Sequence, residues 1–390
     1  MGRGIYRQRA GWPVILFFVL PFLAGSSAAP SVAAGQVIEN PAKPKAANAG
    51  RVIVPQEVVA ISDEGTSAYY FDWPRNLRTG PDGSLLLTDK DQVLQFDGKG
   101  MFLRNFFKKG QGPGEMPFPG TPQATGKSIV IYSVSPGKLV YFSPSGQYEK
   151  EIAVRAERRT SLRPIGYQAG RFYFESGEFP RTTGDPDFVD NPRTIIAVNE
   201  ADGAIKRLTS FVTRAWVITS PSGGGGMFTI TSLIAVPFRD DLLAIAHTQE
   251  YLVKIYDPAA DKIVREFRRS YARVKGVPLT EEEKKGSMFI DGKTYSRPEL
   301  KFENDIKNVL AHGGEIWAVT STKDKAKGVL VDVFDGEGVY RDCFWLKLPE
   351  PALGSFLSPL GQCALDGEFL WIVERAEDGT SVIKKYRVVI

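Results

Sequence analysis

The chain has 390 residues, 49 Lys and Arg against 45 Asp and Glu, 2 His and 2 Cys. These counts exclude a disulfide-dense miniprotein and any zinc centre built on three imidazoles. The formal charge is +4, and three of those charges are Arg3, Arg7 and Arg9 in an acid-free leader, so the remainder carries no basic footprint for nucleic acid.

Those arginines precede an apolar run from Val14 to Ala24 and then small residues. This is the layout of a secretory signal peptide, and the run is too short to span a bilayer. Residues 1–34 are read as the signal, with cleavage after Ala34, or after Ala29 where Pro30 is unfavourable. No Cys follows to take a lipid. Residues 35–50, rich in Ala, Pro and Lys, are read as a flexible mature N-terminus. Residues 51–390 are read as one domain, opening with a strand-like segment, Arg51 to Ile61.

A repeat follows. Asn76 to Thr79, Leu85 to Asp89, Val93 to Asp97 and Met101 to Phe106 are short strands separated by Pro81-Asp82-Gly83 and Gly98-Lys99-Gly100. The same grammar returns in Ser128 to Val154, where Phe142 lies 46 residues after Phe96. It recurs degenerately in Arg171 to Leu208, then in Leu242 to Phe267, Ile316 to Leu346 and Phe369 to Ile390. A four-stranded unit of this length is the size of a propeller blade, which buries its second face only by stacking on neighbours. The expected fold is all-β: six four-stranded antiparallel blades in a ring, closed by lending Arg51 to Ile61 to the strand-poor last copy. A sandwich or an open solenoid is the alternative.

Between the first two copies lies Gly110-Gln111-Gly112-Pro113-Gly114-Glu115, preceded by Pro74, Asp82-Gly83, Thr88-Asp89 and Phe96-Asp97. Over residues 68–150 this resembles the bacterial six-bladed β-propellers related to NHL repeats, in which a GQGPGE-type loop links consecutive blades. The resemblance implies an exported binding or scaffold protein; related propellers include lyases and lactone hydrolases. The loop precedes Pro117 and Pro119 rather than a helix, so it is read as blade-to-blade geometry and not as a phosphate cradle.

Three insertions interrupt the rhythm: residues 175–193, 212–230 and 271–303. The blade map puts all three on one face, opposite short Gly- and Asp-rich turns, and long loops of this kind carry function. In the third, Thr280 and Glu283 form a capping box that Gly286 stops. Pro221 to Gly226 reads either as a lid or as a tolerated insertion.

Two functions compete. The leading reading is a noncatalytic module, a monomer without cofactor, that binds a protein or an extracellular ligand through Arg181, Phe188, Arg214, Trp216, Tyr295 and Arg297, beside Asp185, Asp187 and Asp190. Arg75 and Arg163 are placed at the channel mouth, where an anion could sit if local acids do not pair them. The rival is a lyase or hydrolase. The resemblance suggests calcium held by Asn, Asp and Glu, for which Asn76, Glu303, Asn304 and Asp305 are the available residues. They come from two blades only, which disfavours a metal. His247 is read as a hydrogen-bonded strand-end residue and His312 as solvated. Cys343 and Cys363 fall on an outer and an inner strand and are read as unbridged.

Overall fold

A computed structural model describes residues 37–135, 137–154, 161–182, 186–220, 225–239 and 241–390. The signal-peptide reading, with Ala29 and Ala34, falls outside the described residues, as do Asp185 and most of the Gly-rich run after Pro221. The described chain is all-β, built of antiparallel sheets, and no helix among the described residues is long and apolar enough to cross a membrane.

Six sheets of four or five strands occur among the described residues, besides one isolated hairpin. Sheet one holds Arg75–Thr79, Leu85–Asp89, Gln92–Phe96 and Phe102–Asn105. Sheet two holds Thr121–Ala124, Ile129–Val134, Gly137–Phe142 and Tyr148–Ala153. Sheet three holds Ser161–Gln168, Arg171–Gly177, Asp187–Asn199, Ile205–Thr219 and Gly225–Thr229. Sheet four holds Ile234–Phe238, Leu242–Ala246, Val253–Asp257 and Lys262–Arg269. Sheet five holds Ile306–His312, Glu315–Asp324, Gly328–Phe334 and Tyr340–Leu346, and sheet six holds Cys363–Asp366, Phe369–Arg375 and Ser381–Arg387.

The second and third strands carry near-continuous apolar runs because both of their faces are covered. Leu85, Leu86 and Leu87 are all fully buried. Leu85 and Leu87 join a core shared with sheet six, through Trp371, Val373 and Ile383. Leu86 joins a core shared with sheet two, through Ile129, Val140 and Phe142. Each further pair of successive sheets has a core of its own. First strands touch in the same order: Arg75–Thr79 meets Thr121–Ala124, which meets Ser161–Gln168, then Ile234–Phe238, Ile306–His312 and Cys363–Asp366, which returns to Arg75–Thr79.

The repeat is most literal in the turns between third and fourth strands. Side-chain oxygens of Asp97, Ser143 and Asp335 accept from the backbone N–H four residues on, at 2.9, 3.1 and 2.9 Å. Each turn closes through a glycine with positive φ, Gly100, Gly146 and Gly338, a conformation that costs a residue with a Cβ. The linker after sheet one wraps Glu115: its carboxylate accepts from Gly112 N–H at 3.0 Å and pairs with Lys108 at 2.7 Å. Lys108 and that N–H hold it below the usual carboxylate range.

The N-terminal segment departs from the sequence reading. Residues 35–50 are not simply a flexible lead, since Ile38–Asn40 adds to sheet four as a parallel strand beside Lys262–Arg269. The reason is side-chain chemistry: buried Asn40 donates to Gly338 O at 2.9 Å and accepts from Tyr340 N–H at 2.9 Å. Residues 51–61 divide in two. Arg51–Ile53 runs parallel to Tyr340–Leu346 on sheet five, and only Gln56–Ile61 pairs with Ser381–Arg387 of sheet six. Between sheets five and six the chain forms a helix, Glu350–Leu357, that buries Ala352 and Phe356. Sequence reading missed it.

Candidate functional site

The insertions are strands more than loops. Asp187–Asn199 and Ile205–Thr219 pair far beyond the length of a blade strand, and Gly225–Thr229 adds a third strand, making an arm on sheet three. Alternation then sorts the side chains. Thr213, Ala215 and Val217 are buried, whereas Val212 and Arg214 are exposed and Trp216 is half-buried. Cross-strand register sets Phe188 opposite Trp216, Asp190 opposite Arg214, and Phe228 opposite Trp216 from the other side. The Trp216 and Phe228 rings lie 5.9 Å apart and the Arg214 guanidinium stands 5.5 Å over Phe188. One stripe therefore presents three aromatic rings and a cation.

Other predicted residues lie around this arm. The third insertion forms the capped helix, Glu281–Lys284, and the hairpin Met288–Ile290 with Lys293–Tyr295. It reaches the arm where a Cβ on Gly226 would collide with Met288 Sδ. Tyr295 ends this hairpin, and Arg297 is paired with Glu283 at 3.2 Å. Arg181 is exposed and lines a separate recess of about 570 Å³ with Asp190 and Arg207.

Arg75 and Arg163 do come together, in a cavity of about 400 Å³ lined by first strands and by Ser358 to Cys363. Arg163 is committed, because its Nε donates to Glu175 Oε2 at 2.7 Å and its other nitrogens reach Glu175 and the carbonyls of Leu233 and Pro359. Among the described residues, Arg75 donates only to Trp73 O, at 3.4 Å. A third arginine, missed in the sequence, completes the lining: Arg78 donates to the carbonyls of Leu77 at 3.0 Å and Ile165 at 3.4 Å. Burial, and then the like charge of Arg163, push its guanidinium down to about 10. In a regular strand, residues three apart point to opposite faces. Here the register shifts between Arg75 and Arg78, around Asn76 at φ 55°, and both residues line one cavity. Asn is among the few residues that tolerate that conformation, which was the only available cue.

An adjoining cavity of about 230 Å³ is lined by His247 and Asn304 and shares Ile234 and Pro359 with the first. His247 Nδ1 lies 3.0 Å from Val212 O, so Nδ1 carries the proton and donates, as expected of a strand-end residue. Its Nε2 and the Asn304 Oδ1 are buried without a partner among the described residues. Burial lowers the imidazole pKa.

Of the calcium candidates, Asn76 lines the arginine cavity, and the other three are engaged elsewhere. Asp305 accepts from Arg273 Nε at 3.1 Å and Tyr251 N–H at 3.0 Å, Glu303 pairs with Lys307, and Asn304 donates to Ile230 O at 2.7 Å. Among the described residues no group of three His, Cys, Asp or Glu is arranged to hold a metal. His312 is half-buried, its ring 4.8 Å from Trp317, which corrects its reading as solvated. Cys343 lies on the outer strand of sheet five and Cys363 on the first strand of sheet six, and both are free thiols.

No family model matches the sequence, and no curated protein matches it either. Solved structures do. A member of the DUF4221 family from Bacteroides vulgatus aligns at 10% identity over 86% of this chain and 98% of its own, with a TM-score of 0.51. A candidate exported protein from Bacteroides fragilis aligns at 11% identity over 91% and 100%, with a TM-score of 0.47. A gluconolactonase from Xanthomonas campestris aligns at 12% identity over 87% and 98%, with a TM-score of 0.43. The first of these likenesses speaks for the fold alone.

Proposed function

We propose that this chain is an exported six-bladed β-propeller that binds a protein partner through the arm of sheet three. The blade reading is supported by six inter-sheet cores, one of which joins sheets one and six, and by first strands that touch in a closed order. Export is supported by the Arg3 to Ala34 leader. The observation that carries the binding reading is the stripe of Phe228, Trp216, Phe188 and Arg214. Rigid aromatic rings beside a guanidinium are the residue types that dominate binding energy at interfaces, and a strand-borne stripe presents them at little entropic cost.

The test is a pulldown from the native exported fraction, with the full chain as bait. Partner recovery is expected to fall on the order of thirtyfold or more for Arg214→Ala with Trp216→Ala. A complex that survives this double change, with the fold intact by circular dichroism, would remove the arm from the interface. The lyase or hydrolase reading keeps one observation in its favour, the His247 Nε2 at a cavity wall, without a partner among the described residues. A stoichiometric divalent ion in purified protein would move the balance toward it.

A further inference from the structure

We infer that the cavity between the first strands is a binding site for a small organic dianion, a dicarboxylate or a phosphate monoester, held by Arg75 and Arg78. This is a second site, independent of the arm.

The charge balance motivates it. Among the described residues, three arginines and no carboxylate line the cavity, and Glu175 alone pairs with any of the three, on Arg163. Glu175 is itself shared with Arg193 at 3.5 Å. Among the described residues, Arg75 and Arg78 have carbonyl oxygens as their hydrogen-bond partners. Uncompensated cations lining one recess are unfavourable, and a guanidinium presents paired donors that match carboxylate or phosphate.

Geometry adds to charge. The register shift at Asn76 puts a non-glycine residue in the left-handed region inside a first strand, a conformation that costs free energy and that brings both arginines to the cavity. Comparable shifts occur in the first strands of sheets three and five, between Pro164 and Gly166 and between Ile306 and Asn308. Arg163 and Asn308, the polar lining residues of those strands, stand beside them.

Size and wall chemistry narrow the class. A cavity of about 400 Å³ falls in the range that takes small organic ligands rather than a bare oxyanion. Its walls include Leu162, Ile165, Ile234, Val236 and Leu310, which suit a hydrocarbon portion. With Arg163 neutralised, two cations remain to be matched.

Isothermal titration of the full chain with glutarate, phthalate, phenyl phosphate and inorganic phosphate, at constant ionic strength in chloride, tests this. Saturable binding is expected for at least one organic dianion, stronger than for inorganic phosphate. Preference for glutarate or phthalate assigns the carboxylate source, and preference for phenyl phosphate assigns the phosphate ester. Arg78→Met and Arg75→Gln are each expected to weaken binding roughly tenfold or more. Arg214→Ala with Trp216→Ala is expected to leave it unchanged, which separates this site from the arm. Should Arg78→Met fail to fold, Arg75→Gln decides alone. The proposal is overturned if no organic dianion binds, if inorganic phosphate binds best, or if Arg75→Gln retains full affinity.

Discussion

Asp332 is fully buried on the third strand of sheet five, and its carboxylate accepts from Arg269 Nε at 2.7 Å, Tyr251 Oη at 2.8 Å and Tyr340 Oη at 2.6 Å. Arg269, from sheet four, also stacks on the rings of Tyr251, Tyr271 and Tyr340. The cluster bolts two sheets together, so Asp332→Ala, which strands a buried cation and two phenols, is expected to cost about 3–5 kcal/mol in a denaturant titration. A second residue-scale expectation concerns pH. Burial lowers the pKa of both His247 and His312, with Lys254 opposing and Glu266 favouring the charged form of His247. Below the ordinary value near 6.5 the unfolded chain therefore binds more protons than the folded one, and stability declines as pH falls from 7 to 5. His247→Gln with His312→Gln should flatten that slope in melts recorded across the interval. At this scale Arg75 and Arg163 were legible as cations placed at one channel mouth. Arg78 was not, because its arrival in the cavity depends on a backbone irregularity, and the Arg163–Glu175 pair depends on cross-strand register; neither is written in local sequence.

The elements that could be read were those whose signal is local. Turns such as Asp97-Gly98-Lys99-Gly100 and Asp335-Gly336-Glu337-Gly338 carry their own hydrogen-bond acceptor and their own positive-φ glycine, so they announce themselves. Gly114 belongs to this class: at φ +73° a Cβ there would lie 2.9 Å from the Tyr148 ring, and Gly114→Ala is expected to lose about 1–2 kcal/mol of stability by thermal melt. The arm was mistaken for loops because its pattern is two-faced and polar, although the alternation in Thr213 to Ile218 was present to be found. The helix Glu350–Leu357 is short, begins with Pro at the first turn and contains Gly354, so its periodicity was too brief to register. Ile38–Asn40 spans three residues, too few for a periodicity to show, and is held by Asn40, by the Glu39–Arg268 pair at 2.7 Å and by Ile38 against the core. Asn40→Ala leaves Gly338 O and Tyr340 N–H unsatisfied at a buried junction of sheets four and five, and a loss of roughly 2 kcal/mol is expected by chemical denaturation.

For the whole molecule, the six-sheet rhythm was legible because every unit needs two neighbours to bury its faces, whereas the connection of last to first was only an expectation. Its physical content lies in Gln56–Ile61. This strand covers the edge of Ser381–Arg387, Glu57 pairs with Lys384 at 2.9 Å, and Ile61 is buried with Leu77, Trp371 and Ile383. A Cβ on Gly100 of sheet one would meet Val59 and Ile61, so the strand touches the first sheet as well as the last. If the sheets close as blades of one ring, removing this strand exposes a strand edge and opens the core between sheets one and six, where the ring would part. Ile61→Ala is expected to lose about 2–5 kcal/mol, and deletion of residues 35–61 is expected to abolish a cooperative melt or to drive edge-to-edge association seen by light scattering. Hydrogen exchange locates the failure. In Ile61→Ala, protection should on that reading fall first in Leu85–Phe96 and Phe369–Arg387 and later in sheets three and four, which are farthest in sheet order from the junction of sheets one and six; uniform loss, or a deletion variant that melts like the parent, would mean that the strand is an ornament on an open array.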